Sequence, residues 1–237
     1  MSLMGKNILA IVPARGGSKG IAKKNLVSLA GLSLIAHAAK VCSDLDWIDN
    51  SIISSDVEDM INEGLKYGLE APFKRTQKLS TDMASAIDVW KHGFIKCEEY
   101  FNKNFDITIL LEPSSPLRQP IHIEKTVKKL INGHFDSVLT ISETDSKSHP
   151  FKQLQIDGRN VKYYDVLSKD VIARQELKPL YHRNGVCYAL TRDCLLNQGK
   201  IIGDNPSYVI IEDHVVNIDT KLDLELAKYF IENKNDL

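Results

Sequence analysis

The chemistry-bearing residues of this chain crowd into one short stretch. Arg15, Gly16, Gly17, Ser18, Lys19 and Gly20 follow directly on an apolar run, and Lys23, Lys24 and Asn25 come just after. Glycines let a backbone approach a ligand closely with its N–H groups exposed, and Arg and Lys set positive charge against phosphate oxygens. A Walker A loop is excluded, because Gly20 is not followed by Lys-Ser or Lys-Thr. The glycine spacing also excludes the dinucleotide fingerprint. Gly16-Gly17-Ser18-Lys19-Gly20 does match the G-x-S-x-G nucleophile elbow. The cationic side chains around it suit an anion better than an ester, and a serine hydrolase would need an acid and a His placed later to orient each other. A solvated basic turn is the plainer alternative; its place after a first strand favours a phosphate site.

Further along, Arg75 precedes a Ser80-Thr81-Asp82 turn whose hydroxyls could read the edge of a base or cap a helix. Glu112-Pro113-Ser114-Ser115-Pro116-Leu117-Arg118 lies past the end of an apolar run, its prolines fixing an extended course. Asn217 and Asp219 flank Ile218 at the end of a short apolar stretch that reads as a strand.

These stretches resemble the CMP-sialic acid synthetases, the acylneuraminate cytidylyltransferase family. PARGGSKGIAKKN is similar to the family's nucleotide loop, ARxxSKGxxxKN, and the likeness recurs at KLSTDMAS (78–85), EPSSPLR (112–118), HRNGVCY (182–188) and NIDTKLDL (217–224). The resemblance implies a Mg²⁺-dependent transferase that joins CTP and an acidic keto-sugar. In it, Arg15, Ser18, Lys19 and Lys24 match the residues on the CTP phosphates, Gly16 and Gly17 lie in the same loop, and Asn25 helps position the nucleotide. Arg75, Ser80 and Thr81 match the base-recognition segment. Glu112, Ser114, Ser115, Arg118, Lys152, Arg174 and Arg183 match the sugar side, some of it supplied by a neighbouring subunit in the family's homodimer. Asp219 is the main metal ligand, and Arg15, Lys19, Lys24 and Asp219 form the catalytic set. Lys23 is off the motif and is expected to face solvent.

Two positions depart from the family. Glu112 stands where Gln is usual, and Asn217 replaces the first Asp of an Asp-x-Asp pair. Glu112 either restores a carboxylate to a metal site made by Asp219, Asn217 and Glu112, or bonds sugar hydroxyls. The departures leave open an eight-carbon keto acid, a sugar phosphate with another nucleotide, or a non-catalytic nucleotide-binding relative.

The elements that must position these residues alternate. Ile8-Leu9-Ala10-Ile11-Val12 reads as a buried strand. A helix follows on Leu34, Ile35, Ala38, Ala39 and Cys42, then a strand at Ser51–Ser54 and a helix capped by Asp56. Leu69–Phe73 reads as a strand, Ala86 to Tyr100 as a helix, Phe105–Leu111 as a strand, and Ile123, Val127, Leu130 and Ile131 as a helical stripe. Ser137–Ile141, Gly185–Leu190 and Val215–Ile218 read as strands and Leu222–Ile231 as a terminal helix. This is a doubly wound α/β fold with a mostly parallel, Rossmann-like sheet, and the resemblance makes it a nucleotidyltransferase. Residues 149–184, with Asp157-Gly158 as a hairpin turn, break the alternation and read as an extended dimerisation arm.

Met1-Ser2-Leu3, ahead of a second Met4, reads as an added leader, so the single domain is set at 4–237. The 237 residues carry 30 Lys and Arg against 31 Asp and Glu, so neither nucleic acid nor a membrane surface is an expected partner. Cys42, Cys97, Cys187 and Cys194 show no zinc spacing and read as reduced packing residues. Neither a signal peptide nor a long apolar span is visible, and a cytoplasmic location is expected.

Overall fold

The computed structural model describes residues 3–17, 20–170 and 177–233, the side chains of 169 and 170 excepted. The central strand is β1 (Ile8–Ala14). Ile8, Ala10 and Val12 pack on one side of the sheet, Leu9 and Ile11 on the other, so alternate side chains serve two cores at once. A tight hairpin of β2 (Ser28–Leu29) and β3 (Leu32–Ser33) leads into α1 (Leu34–Ser43), whose N-cap Ser33 accepts the Ala36 N–H at 3.0 Å. Then come β4 (Asn50–Ser55), α2 (Glu58–Lys66), α3 (Ala86–Phe101), β5 (Ile107–Leu110), α4 (Pro120–Asn132) and β6 (Ser137–Glu143). An outlying hairpin, β7 (Leu154–Asp157) and β8 (Asn160–Tyr163), precedes β9 (Tyr181–Thr191), β10 (Pro206–Ile210) and α5 (Lys221–Glu232).

Among the described residues six strands form one sheet in the order β10-β6-β9-β5-β1-β4. β1 pairs in parallel with β4 and β5, and β10 with β6, while β9 runs antiparallel to both β5 and β6. α1, α2 and α4 cover one face. α3 covers the other with Trp90, Phe94 and Cys97, and the buried Trp90 Nε1–H donates to Thr108 Oγ1 at 2.8 Å. The mostly parallel, two-faced α/β sheet is therefore as expected.

Three local expectations are corrected. Asp56 does not cap α2. Its carboxylate accepts the Gly16 N–H at 3.3 Å and faces Arg75 at 3.5 Å, and the helix starts one residue later on the Val57 carbonyl. Leu69–Phe73 contributes a single parallel bridge, Glu70 to Ile52, rather than a strand. Val215–Ile218 joins no ladder among the described residues. The Ile218 N–H goes to the Ser114 carbonyl and its C=O to Lys24, so the backbone is satisfied by a loop and a side chain. One edge strand is β10, which opens at Pro206, a residue tolerated where a strand begins at an edge.

All four cysteines are free and buried. Burial pushes the Cys42 thiol up to about 11 and those of Cys97, Cys187 and Cys194 to about 12, which keeps them protonated and inert.

Candidate active site

The cleft opens where β1 ends, at the switch point of the sheet where its two parallel neighbours diverge. After Ala14 the chain turns through Arg15, Gly16 and Gly17; Ser18 and Lys19 lie outside the described residues. At Gly20 an added methyl would sit 2.2 Å from the Asp219 carbonyl oxygen, so the turn rests directly on the backbone of the 217–219 segment. Lys24 closes the same junction. Its Nζ donates to Ile218 O at 2.6 Å and to Asp219 Oδ1 at 2.8 Å, with 16% of the side chain exposed. Asn25 is buried and donates to the Arg15 carbonyl at 3.4 Å. Lys23 is exposed and pairs with Asp59 at 2.9 Å.

Arg75 makes the second wall. Its buried guanidinium donates to Ser80 Oγ at 3.1 Å and to Ala14 O at 3.3 Å, tying the 76–82 turn to the end of β1. Burial depresses its pKa, with Asp56 opposing that effect. Arg15 reaches across to Asp82 Oδ1 at 2.8 Å. Thr81 lines the cleft, while Ser80 sits behind it on Arg75. None of Ser80, Thr81 and Asp82 caps α3, since Ser85 does so through the Asp88 N–H.

The floor is the loop after β5. Glu112, Pro113 and Ser114 line the cleft, as do Asn217 and Asp219 from the opposite side. The Glu112 carboxylate has no hydrogen bond or ion pair among the described residues. Burial raises its pKa above the usual carboxylate range, against the pull of Arg118, Lys24 and Arg183 and with a further push from Asp219. A methyl at Gly185 would lie 2.8 Å from Glu112 Oε2 and 3.2 Å from Asn217 Nδ2, so both side-chain tips flank one point.

The sugar-side residues divide. Ser114 faces the cleft, but Ser115 is buried with its Oγ donating to Asn184 O at 3.4 Å. Arg118 does not face the cleft: its guanidinium is folded beneath the loop, on the carbonyls of Glu112, Gly185 and Val186. Arg183 is exposed at the start of β9 and acts on Glu112 through its charge. Lys152 lies out on the arm, away from the cleft lining, and Arg174 lies outside the described residues.

The cleft holds about 710 Å³ and gathers Arg15, Lys24, Asn25, Arg75, Thr81, Glu112, Ser114, Asn217 and Asp219 on its walls. Sequence reasoning missed the pairing of Arg15 with Asp82 and the apolar side made by Leu79, Ala84, Ala86 and Val89. The apolar spacing before α3 is a signal that could have found the latter. For a metal, the donors on offer are all oxygens, and among the described residues no group of three or more His, Cys, Asp or Glu stands ready to hold an ion. That set fits Mg²⁺, which binds through one or two carboxylates and completes its shell with water and substrate phosphates.

The sequence model of a family described as Cytidylyltransferase matches residues 9–230. The chain is 31% identical to a pseudaminic acid cytidylyltransferase of Campylobacter jejuni over 222 residues, covering 93% of this chain and 94% of that one. It is 28% identical to a CMP-N,N'-diacetyllegionaminic acid synthase of the same species over 229 residues, 96% of each chain. Among solved structures, a CMP:2-keto-3-deoxy-manno-octonic acid synthetase complexed with CTP shares the fold, with a TM-score of 0.70 at 15% identity over 96% of this chain and 99% of that one.

Proposed function

Because this chain belongs to the cytidylyltransferase family, among the CMP-sialic acid synthetase-like enzymes, we propose that it joins CTP to a nine-carbon 2-keto sugar acid of the pseudaminic or legionaminic kind. The observation that carries this reading is one cleft in which Arg15, Lys24 and Asn25 of the first turn meet Asp219 and Asn217 across a floor made by Glu112 and Ser114. In the reaction the anomeric hydroxyl oxygen attacks the α-phosphorus and passes its proton to water, while the bond to the bridging oxygen breaks and pyrophosphate leaves with that electron pair. Arg15 and Lys24, with Lys19 and Ser18 from the same loop, hold the phosphate oxygens as charge moves onto the leaving group. Thr81 faces the base, and Arg75 holds the turn that carries it. A protein nucleophile is unnecessary, since positioning and electrostatics carry this chemistry. Mg²⁺ bound by Asp219 with Asn217 and Glu112 would supply further positive charge to the phosphates.

Pyrophosphate release tests the reading. With CTP, pseudaminic, legionaminic and N-acetylneuraminic acids should include a productive substrate, and UTP, GTP and ATP should not replace CTP. Turnover confined to an eight-carbon acid or to a sugar phosphate would overturn it.

Glu112→Gln separates the metal role from a sugar contact. We expect it to raise the Mg²⁺ concentration needed for half-maximal rate; an unchanged metal dependence would refute the metal role. The same variant has a stability signature. A carboxyl whose pKa is raised on folding holds its proton more tightly in the folded than in the unfolded chain. It therefore costs nothing below the unfolded value, progressively more between the unfolded and folded values, and a constant amount above the folded one. In metal-free buffer Glu112→Gln is expected to melt above the parent at neutral pH, with the gap closing as pH falls into the ordinary carboxylate range. Calorimetric melting curves across that window measure it.

The arm fits a homodimer. Register Leu154↔Tyr163 and Ile156↔Val161 puts four apolar side chains on one face of the hairpin, and Ile156 is 84% exposed. We place a second copy on that face, with residues 149–184 bordering its partner's sugar pocket. Ile156→Lys is expected to shift the chain to monomer in analytical ultracentrifugation; an unchanged sedimentation coefficient would count against this.

A further inference from the structure

We infer that Arg118 is a positioning residue for the transfer: without touching either substrate, it fixes the floor on which Glu112 and Asn217 stand. The inference rests on the transfer reaction proposed above. Arg118 is 5% exposed. Its Nη2 donates to the carbonyls of Glu112 at 2.7 Å and Gly185 at 3.2 Å, and its Nε donates to Val186 O. These carbonyls belong to two segments, the loop after β5 and the middle of β9, whose ladder ends at Leu110↔Tyr188. One planar fork therefore spans a gap that the sheet leaves unbridged, which a compact ammonium does poorly.

The gap matters because of Gly185. Its φ of +72° is left-handed, and the space where a side chain would begin is taken by Glu112 Oε2, Ser115 Oγ and Asn217 Nδ2. A shift of Gly185 against Glu112 would displace both departures from the family pattern together. Among the described residues no carboxylate lies within ion-pair distance of Arg118, and burying a guanidinium without one is costly. Holding three carbonyls beneath the cleft, one in the floor loop and two in β9, is the compensating task the structure shows. On its other side Arg118 lines a second cavity of about 530 Å³, with His37 and Gln119, so truncation would leave a space that a small cation can enter.

The test uses Arg118→Lys, Arg118→Met and Arg118→Ala of the full chain, with kcat and each KM from pyrophosphate release. We expect Met and Ala to lose about 10²-fold in kcat, the scale of a misplacement near 1 Å, with KM for CTP and sugar close to the parent. Methylguanidinium should restore Ala in a saturable way and methylammonium should not. Arg118→Lys keeps the charge and should fold, with a smaller loss of kcat. Parent-like kcat in Met, a loss confined to the sugar KM, or no rescue by methylguanidinium would each overturn the inference. A parent inactive with every sugar would sink the transfer reading instead. In that case hydrogen exchange over 182–188 still decides: faster exchange in Arg118→Lys supports the strap, and unchanged exchange refutes it.

Discussion

Asp219→Asn is expected to lower kcat by about 10² to 10³-fold, the range for removing one preorganised electrostatic contact from a developing charge. Asp219 sits at the cleft mouth with 74% of its side chain exposed, and its Oδ1 is 2.8 Å from Lys24 Nζ. The substitution keeps the shape and a carbonyl oxygen for Lys24, but removes the charge. Lys24 also retains Ile218 O as an acceptor, and an ion pair exposed on one side contributes little to folding, so melting should move only slightly. The signature is a large loss of kcat and a raised Mg²⁺ requirement without loss of fold. Steady-state rates across a metal titration, with a melting curve, measure both. A variant with parent kcat would remove Asp219 from the mechanism.

Gly20→Ala should be nearly as damaging, and for a different reason. The new methyl would fall 2.2 Å from the Asp219 carbonyl oxygen and 3.4 Å from its carbonyl carbon. Both are backbone atoms and no rotamer relieves the clash, so the turn must lift away from 217–219. The phosphate-facing cations and Asp219 would then lose their shared register, costing about 10²-fold in kcat/KM and about 1–3 kcal/mol of stability. Gly17→Ala is the comparison within the same loop, because among the described residues nothing lies within 4 Å of a methyl there. Both variants are read by pyrophosphate release and chemical denaturation. Equal behaviour of the two would show that the contact between the turn and Asp219 is unimportant.

The sequence made the first turn legible because its information is local. An apolar run fixes a strand, and Gly, Arg and Lys just beyond it suit an anion better than an ester. The helices at 34, 86 and 120 were equally readable from their spacing, as was the hairpin at Asp157-Gly158. Val215–Ile218 misled because alternation of buried and exposed side chains is shared by a strand and by any extended segment lying on a core. Val216 and Ile218 are buried against Leu29 and Leu34 with no ladder partner. Arg118 misled because residue type says nothing of where a long side chain turns, and three carbonyls claimed it. The Lys24–Asp219 pair joins residues 195 apart, and only the closed sheet brings them together. The resemblance puts Lys24 on the phosphates and Asp219 on a metal, and their contact with each other is invisible in the chain.

Calorimetric titration of the full chain with CTP and with CMP, both in excess Mg²⁺, tests most directly whether the first turn and Asp219 grip a triphosphate between them. Binding of CTP at least about tenfold tighter than CMP is expected, roughly 1.4 kcal/mol drawn from the β- and γ-phosphates. Equal affinities would mean that the turn does not read those phosphates, and would contradict the account.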